Sequence, residues 1–346
     1  MKYKYSKILL VALFLINKCI HSQDPVFSQF KNNPIYLNPA LVGEYKLRLS
    51  CVSNNQWFNI PGQLNTQYMS IDGSNKKDAT LVWGCSFLRN SEGELSLITN
   101  NVSLIIGYRT KIKKHLIITF PLQLSIIGKS IDFSNAVFMQ NLDPVFGNIN
   151  SNNFIGPSQS YTYPTFSTGL NFSYLKNDHR VNYKIDFGGS VNNILSSEKE
   201  GFLLQNTVNN PKFTFYSTFF FNDKNFYRNS IFYQQQNIFK TLQISTDFIF
   251  PTLKNPTFGL IYRHMFMNSN LKKKPPFESL HFVVTFIKDD NTKNHINRLS
   301  ISYGIKFSNL DQSDTFGIAE ISYQFIMNKH NQWYSCPAPR WRSVSR

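Results

Sequence analysis

The 346 residues carry 36 lysines and arginines against 20 acids, a formal charge of +16, yet only 16% of positions are charged while 32 are Phe and 17 Tyr. No Pro/Ser/Gly-rich linker or charge run divides the chain, which reads as one domain, and its longest apolar stretch, Ile8–Ile16, falls well short of the roughly twenty residues a spanning helix needs. The positive residues are scattered over many segments rather than gathered in a stripe, so no nucleic-acid partner is expected.

Residues 1–22 read as a signal peptide. Lys2, Lys4 and Lys7 precede the apolar core Ile8–Ile16, and Ser22 puts a small residue before Gln23. Cys19 raises a lipoprotein alternative, but Lys18 stands where such a site wants a small residue. Removing these residues takes away four lysines and no acids, which lowers the formal charge from +16 to +12. A basic exported chain is expected to meet outer-membrane lipids and acidic partners.

Residues 23–46 form a lead-in outside any strand rhythm. Pro25, Pro34 and Pro39 forbid a long helix, while Phe27, Phe30, Tyr36 and Leu37 supply apolar anchors. Two readings are open: a plug tucked into a lumen, or a periplasmic docking strip for another envelope protein.

From 47 to 326 the chain alternates apolar and polar side chains, the period of a β-strand. In Asn297–Phe307, Leu299, Ile301, Tyr303 and Ile305 oppose Arg298, Ser300, Ser302, Gly304 and Lys306. The pattern predicts fourteen strands: Leu47–Ser53, Gln63–Asp72, Ala79–Leu88, Asn101–Lys111, Leu116–Gly128, Thr165–Leu175, Asn182–Asn192, Lys212–Phe221, Asn225–Gln234, Leu242–Phe250, Thr257–His264, Ser279–Ile287, Asn297–Phe307 and Gly317–Ile326. Odd-numbered connections then hold roughly 7 to 36 residues and even-numbered ones roughly 3 to 9, the short-turn, long-loop asymmetry of outer-membrane barrels. The expected fold is an all-β transmembrane antiparallel barrel of about 14 strands, with short periplasmic turns, longer extracellular loops and both termini on the periplasmic side. Lys184, Asp186, Asp247, Arg263, Lys306 and Glu320 fall on the polar, lumen-facing side and carry both signs. In the longest loop, Asp143-Pro144 is a turn initiator followed by Val145 and Phe146.

A tail, residues 327–346, follows the last strand and contains Trp333, Cys336, Pro337, Pro339 and Trp341. Cys51, Cys85 and Cys336 make neither a disulfide framework nor a C-x-x-C site. A Cys51–Cys85 bridge and burial as small apolar residues are both open readings. Local motifs for a serine hydrolase, zinc protease, P-loop or dinucleotide site are missing, and His115, His179, His264 and His295 lack metal-ligand spacing. No enzyme, metal or cofactor is expected.

The opening Gln23-Asp24-Pro25 with Phe27, Ser28-Gln29, Asn33-Pro34 and Tyr36-Leu37-Asn38-Pro39-Ala40, then Gly43, resembles the start of the PorP/SprF family of type IX secretion system outer-membrane proteins. Asn55-Gln56-Trp57, Thr66-Gln67 and Ser70-Ile71-Asp72 are similar to that family's first hairpin. Gly317, Glu320-Ile321-Ser322, Tyr323 and Phe325 resemble its last strand, and Cys336-Pro337 its finish, although here the chain continues through Trp341 to Arg346. The resemblance implies a non-enzymatic barrel that supports secretion and cell-surface anchoring of large adhesins, with a role in gliding motility. It also implies as partners the adhesin C-terminal domain, other type IX components and a periplasmic peptidoglycan-binding lipoprotein. Residues expected to bind partners are Asp24, Pro25, Phe27, Gln29, Asn33, Pro34, Tyr36, Asn38, Pro39 and Trp57, with Cys336, Pro337 and Trp341 of the tail. The competing class is a porin or small-molecule channel, which would have an open lumen.

Overall fold

The computed structural model describes residues 24–57, 62–74, 80–93, 97–113, 115–131, 142–143, 147–148, 159–177, 182–195, 210–222, 226–249, 256–267, 277–290, 295–307 and 317–327. The strands are β1 (Leu47–Gln56), β2 (Leu64–Ser74), β3 (Leu81–Glu92), β4 (Leu97–Lys113), β5 (Leu116–Ile131), β6 (Leu142–Asp143), β7 (Gly147–Asn148), β8 (Gln159–Asn177), β9 (Asn182–Asn192), β10 (Lys212–Asn222), β11 (Phe226–Gln236), β12 (Phe239–Ile249), β13 (Pro256–Met267), β14 (Phe277–Asp290), β15 (His295–Lys306) and β16 (Ile318–Met327). All but β6 and β7 close into one fourteen-stranded antiparallel barrel, sealed where β1 pairs with β16 from Leu47↔Met327 to Gln56↔Ile318. Closure gives the backbone polar groups partners within the sheet, which hydrocarbon surroundings demand. No described helix is long and apolar enough to cross a membrane.

The period of two sorts the wall into two faces. Leu104, Ile106, Leu122 and Ile126 stand exposed on the outside of β4 and β5, while Ser103, Ser125, Ser167 and Ser190 are buried against the interior. Cys51 and Cys85 are both free and half-buried, so the bridge is not made. They lie on strands separated by β2, facing Met69 and Ile71 of that strand. Pro121 interrupts the β5–β8 ladder between Thr119↔Asn171 and Leu122↔Thr168, because it has no N–H to give. The Thr168 hydroxyl donates to its carbonyl instead, at 2.8 Å.

Each predicted strand corresponds to one barrel strand, Asn182–Asn192 at both ends. One expected loop does not exist. The connection anticipated between Gln234 and Leu242 is a two-residue turn, Asn237-Ile238, because β11 continues through Gln236 and β12 begins at Phe239. Asn237 takes a left-handed φ of 52°, which asparagine tolerates and a tight hairpin requires. The β5–β8 connection contains the small β6–β7 ribbon, pairing Asp143 with Gly147, while Pro144, Val145 and Phe146 of the anticipated turn lie outside the described residues.

The antiparallel succession places the β1–β2, β3–β4, β5–β8, β9–β10, β11–β12, β13–β14 and β15–β16 connections at one end of the barrel. This long-loop end holds 132–158 and 193–211, whereas 75–80 and 250–255 are the longest at the opposite, short-turn end. Leu47 and Met327 both lie at the short-turn end, since they pair with each other. The lead-in, however, does not stay there.

Candidate functional site

The interior of the barrel is occupied by the chain's own residues 24–46. Three prolines break this segment into short pieces: a 3-10 turn at Phe30–Asn32, one helical turn at Pro34–Leu37 and a second 3-10 turn at Pro39–Leu41. Such pieces leave many backbone groups without local partners, and burial makes each a liability unless the wall supplies one. The wall does so, strand by strand.

At the long-loop end Asp24 accepts from Lys212 and Asn193, both at 3.1 Å, and its backbone N–H donates to Gln236 at 2.9 Å. Asp24 is therefore at the opposite end of the lumen from Leu47, where an even strand count alone would put both chain ends at the short-turn end. The lead-in passes through the barrel before β1 begins. Lys212 Nζ also sits 4.4 Å from the centre of the Tyr36 ring.

Below it, Glu320 of β16 accepts three hydrogen bonds: Ser28 N–H at 2.7 Å, Gln29 N–H at 2.9 Å and Asn54 Nδ2 at 2.7 Å. Gln29 donates to Ser302 Oγ at 2.8 Å and to the Glu320 carbonyl at 2.9 Å, and accepts from Ser322 at 2.6 Å. Arg263 donates to Ser28 Oγ at 2.9 Å, and Gln324 to the Asn32 carbonyl at 2.8 Å. Asn38 bridges β8 and β9 by donating to the Leu170 and Gly189 carbonyls at 3.1 and 3.2 Å. A Cβ at Gly169 would stand 2.3 Å from Asn38 Oδ1, so that close approach requires glycine.

At the short-turn end Asp72 accepts the Gly43 N–H at 2.8 Å and pairs with Arg48 at 2.9 Å. Arg48 donates in turn to the Leu41 carbonyl at 2.8 Å, and Arg109 to that of Gly43. Glu44 pairs with Lys184 at 2.5 Å and Arg48 at 3.4 Å. Burial alone would raise the Glu44 carboxyl, but Lys184 and Arg48 outweigh it and hold it at about 2. Lys31 pairs with Asp247 at 2.6 Å, and Arg228 holds the same carboxylate at 2.6 Å. Burial dominates at Lys31 and pushes its ammonium down to about 8 in spite of Asp247.

Apolar packing fills the space between these latches. Phe30 stacks on Phe232 with ring centroids 5.4 Å apart and joins Leu37, Leu41 and Tyr216 in one buried cluster. Phe27 and Tyr36 meet edge-on at 4.9 Å over Tyr68, Val52 and Leu88. Ile35 and Val42 pack on Val82 and Ile105. Among the described residues the lumen keeps a cavity of about 60 Å³ beside Asp24 and one of about 100 Å³ beside Glu44.

Of the residues singled out from the sequence, Phe27, Gln29, Asn33, Pro34, Asn38 and Pro39 are buried in this interior. Pro25 and Tyr36 are half-buried and joined, the phenol donating to the Pro25 carbonyl at 2.5 Å. Asn33 is buried with neither end of its amide partnered among the described residues. Trp57 stands apart at the long-loop end, with φ 62° and Lys306 Nζ 4.8 Å from its ring centre. Cys336, Pro337 and Trp341 lie outside the described residues. Lys184, Asp186, Asp247, Arg263, Lys306 and Glu320 all face inward, as the alternation predicts. Sequence reading missed Glu44, Arg48 and Asp72, which sit where a strand begins or ends and the alternation carries least information. Among the described residues no group of three or more His, Cys, Asp or Glu could hold a metal.

The sequence matches the family described as "Type IX secretion system membrane protein PorP/SprF" over residues 20–325. The chain belongs to the PorP/SprF family. No curated protein matches it by sequence. Among solved structures, the CymD monoaromatic hydrocarbon channel is similar at 11% identity and a TM-score of 0.44, covering 90% of this chain and 96% of the channel. A deltaS2S3 mutant of the TodX monoaromatic hydrocarbon channel is similar at 11% identity and TM-score 0.42, covering 82% and 89%. The NanC porin gives 8% identity and TM-score 0.35 over 81% and 99%. Family and fold together make this PorP/SprF member an outer-membrane β-barrel of type IX secretion.

Proposed function

We propose that this PorP/SprF protein supports secretion and cell-surface anchoring of large adhesins, and through them gliding motility, by contact with other proteins rather than by conducting solutes. Other components of the type IX system are its expected partners, with an adhesin C-terminal domain at one end of the barrel and a peptidoglycan-binding lipoprotein at the other. One observation carries this reading: the lumen is filled by residues 24–46, fixed by Asp24 at one end and by Gly43 and Glu44 at the other. A channel needs a continuous polar path, and the cavities of about 60 and 100 Å³ lie at opposite ends of the lead-in.

In this reading residues 1–22 direct export and are removed, the long-loop end faces outward, and the short turns and the 327–346 tail face the periplasm. The buried lead-in residues act by shaping the plug. Direct partner contacts fall to Asp24 and Trp57 at the long-loop end and to Cys336, Pro337 and Trp341 in the tail. A tagged pull-down from gently solubilised outer membranes, followed by mass spectrometry, tests this. Recovery of a very large surface protein or a peptidoglycan-binding lipoprotein supports it; a lone barrel that conducts ions contradicts it.

A further inference from the structure

Among the described residues at the short-turn mouth, one cation is left without an acid. The cavity of about 100 Å³ there is lined by Lys31, Arg48, Lys184, Arg228 and Arg298 among others, and by the acids Glu44 and Asp186. Four of these cations are matched within the wall and plug. Lys31 and Arg228 share Asp247, Arg48 holds Asp72 and Glu44, and Lys184 holds Glu44 and Asp186. Arg298 is the remainder. Its Nε is buried with no partner, and it makes no hydrogen bond or ion pair among the described residues. Arg298 is half-buried, and its buried Nε is a donor kept from water without an acceptor, which is costly, while the fork of donors on its guanidinium matches a planar oxyanion.

We propose that this mouth is an oxyanion site, with Arg298 as its principal donor, that receives a carboxylate side chain from an acidic segment of a partner polypeptide. The cavity is lined by lead-in residues and by inward-facing wall residues, so it lies inside the barrel and not on its lipid-facing surface. About 100 Å³ accommodates a side-chain carboxylate and leaves little room for a lipid headgroup. Residues 328–346 contain no Asp or Glu, so that stretch has no carboxylate side chain to offer. Asp186 keeps one oxygen unpartnered on the same cavity. This inference goes beyond the secretion reading and can fail without it.

The test uses the full chain in detergent and a fluorescein-labelled hexaglutamate peptide, read by fluorescence anisotropy at low salt. The wild type should bind, R298Q should bind about tenfold more weakly, and R298K should recover part of the loss. Lys129 of β5 lines the cavity beside Asp24 at the opposite mouth, so K129Q removes one positive charge there and should leave binding unchanged. Retained heat-modifiable gel mobility shows that each variant keeps its barrel. Equal losses in R298Q and K129Q would reduce the effect to diffuse attraction and overturn the site. Absence of binding would overturn it as well. Displacement by inorganic phosphate at lower concentration than by acetate, at matched ionic strength, would overturn the carboxylate assignment in favour of phosphate.

Discussion

The two faces of one wall are made by the same strands and obey different rules. On the outside Leu104, Ile106 and Leu122 need only be apolar, since contact with lipid is non-directional and any similar side chain serves. On the inside Glu320 must present two oxygens to Ser28 N–H, Gln29 N–H and Asn54 together, and Gly169 must lack a side chain for Asn38 to fit. The outer face therefore specifies where the protein resides, and the inner face specifies one particular lead-in.

Substitutions on the two faces should separate accordingly. Phe30→Ala removes a buried ring stacked on Phe232 and should cost the docked lead-in about 3 kcal/mol, seen as a lower urea midpoint for protease cleavage within 24–46. Glu320→Ala strips three donors of their acceptor and should cost about 2 kcal/mol by the same assay. Glu320→Gln keeps one acceptor oxygen and should lose less. Acidification should loosen the short-turn latch. Glu44 is held at about 2 against its ordinary 4.5, so its contribution is complete at neutral pH and is lost as the pH falls through 4.5 towards 2. A pH series of cleavage should show that onset in the wild type and a shallower one in Glu44→Gln. Smallest of all, Leu104→Val on the outer face should change lead-in protection by no more than about 0.5 kcal/mol. A loss there as large as that of Phe30→Ala would erase the distinction between the faces.

Strands were legible because each carries its own evidence: in Asn182–Asn192 the alternation alone sets both ends. The turn at Asn237 was not, because Gln234-Gln235-Gln236 is polar throughout and hides the alternation just where β11 ends. For the lead-in, the sequence supplied its anchors, Phe27, Phe30, Tyr36 and Leu37, but not their place. Its partners are too distant in the chain, as in the Ser28–Glu320 bond across 292 residues, and three prolines deny it any local period. Its position from end to end of the lumen, with Asp24 far from Leu47, follows only from those long-range contacts. Glu44 and Arg48 are four apart and could have been suspected as a pair; nothing local points to Asp72 as their third member.

The account rests on a lumen closed by residues 24–46, and conductance in planar bilayers measures that directly. The wild-type protein should insert with little or no steady conductance, and a variant lacking residues 24–41 that still shows heat-modifiable mobility should conduct readily. Equal, large conductance in both would mean that ions pass the lead-in freely, and would contradict the closed barrel on which the secretion and anchoring reading depends.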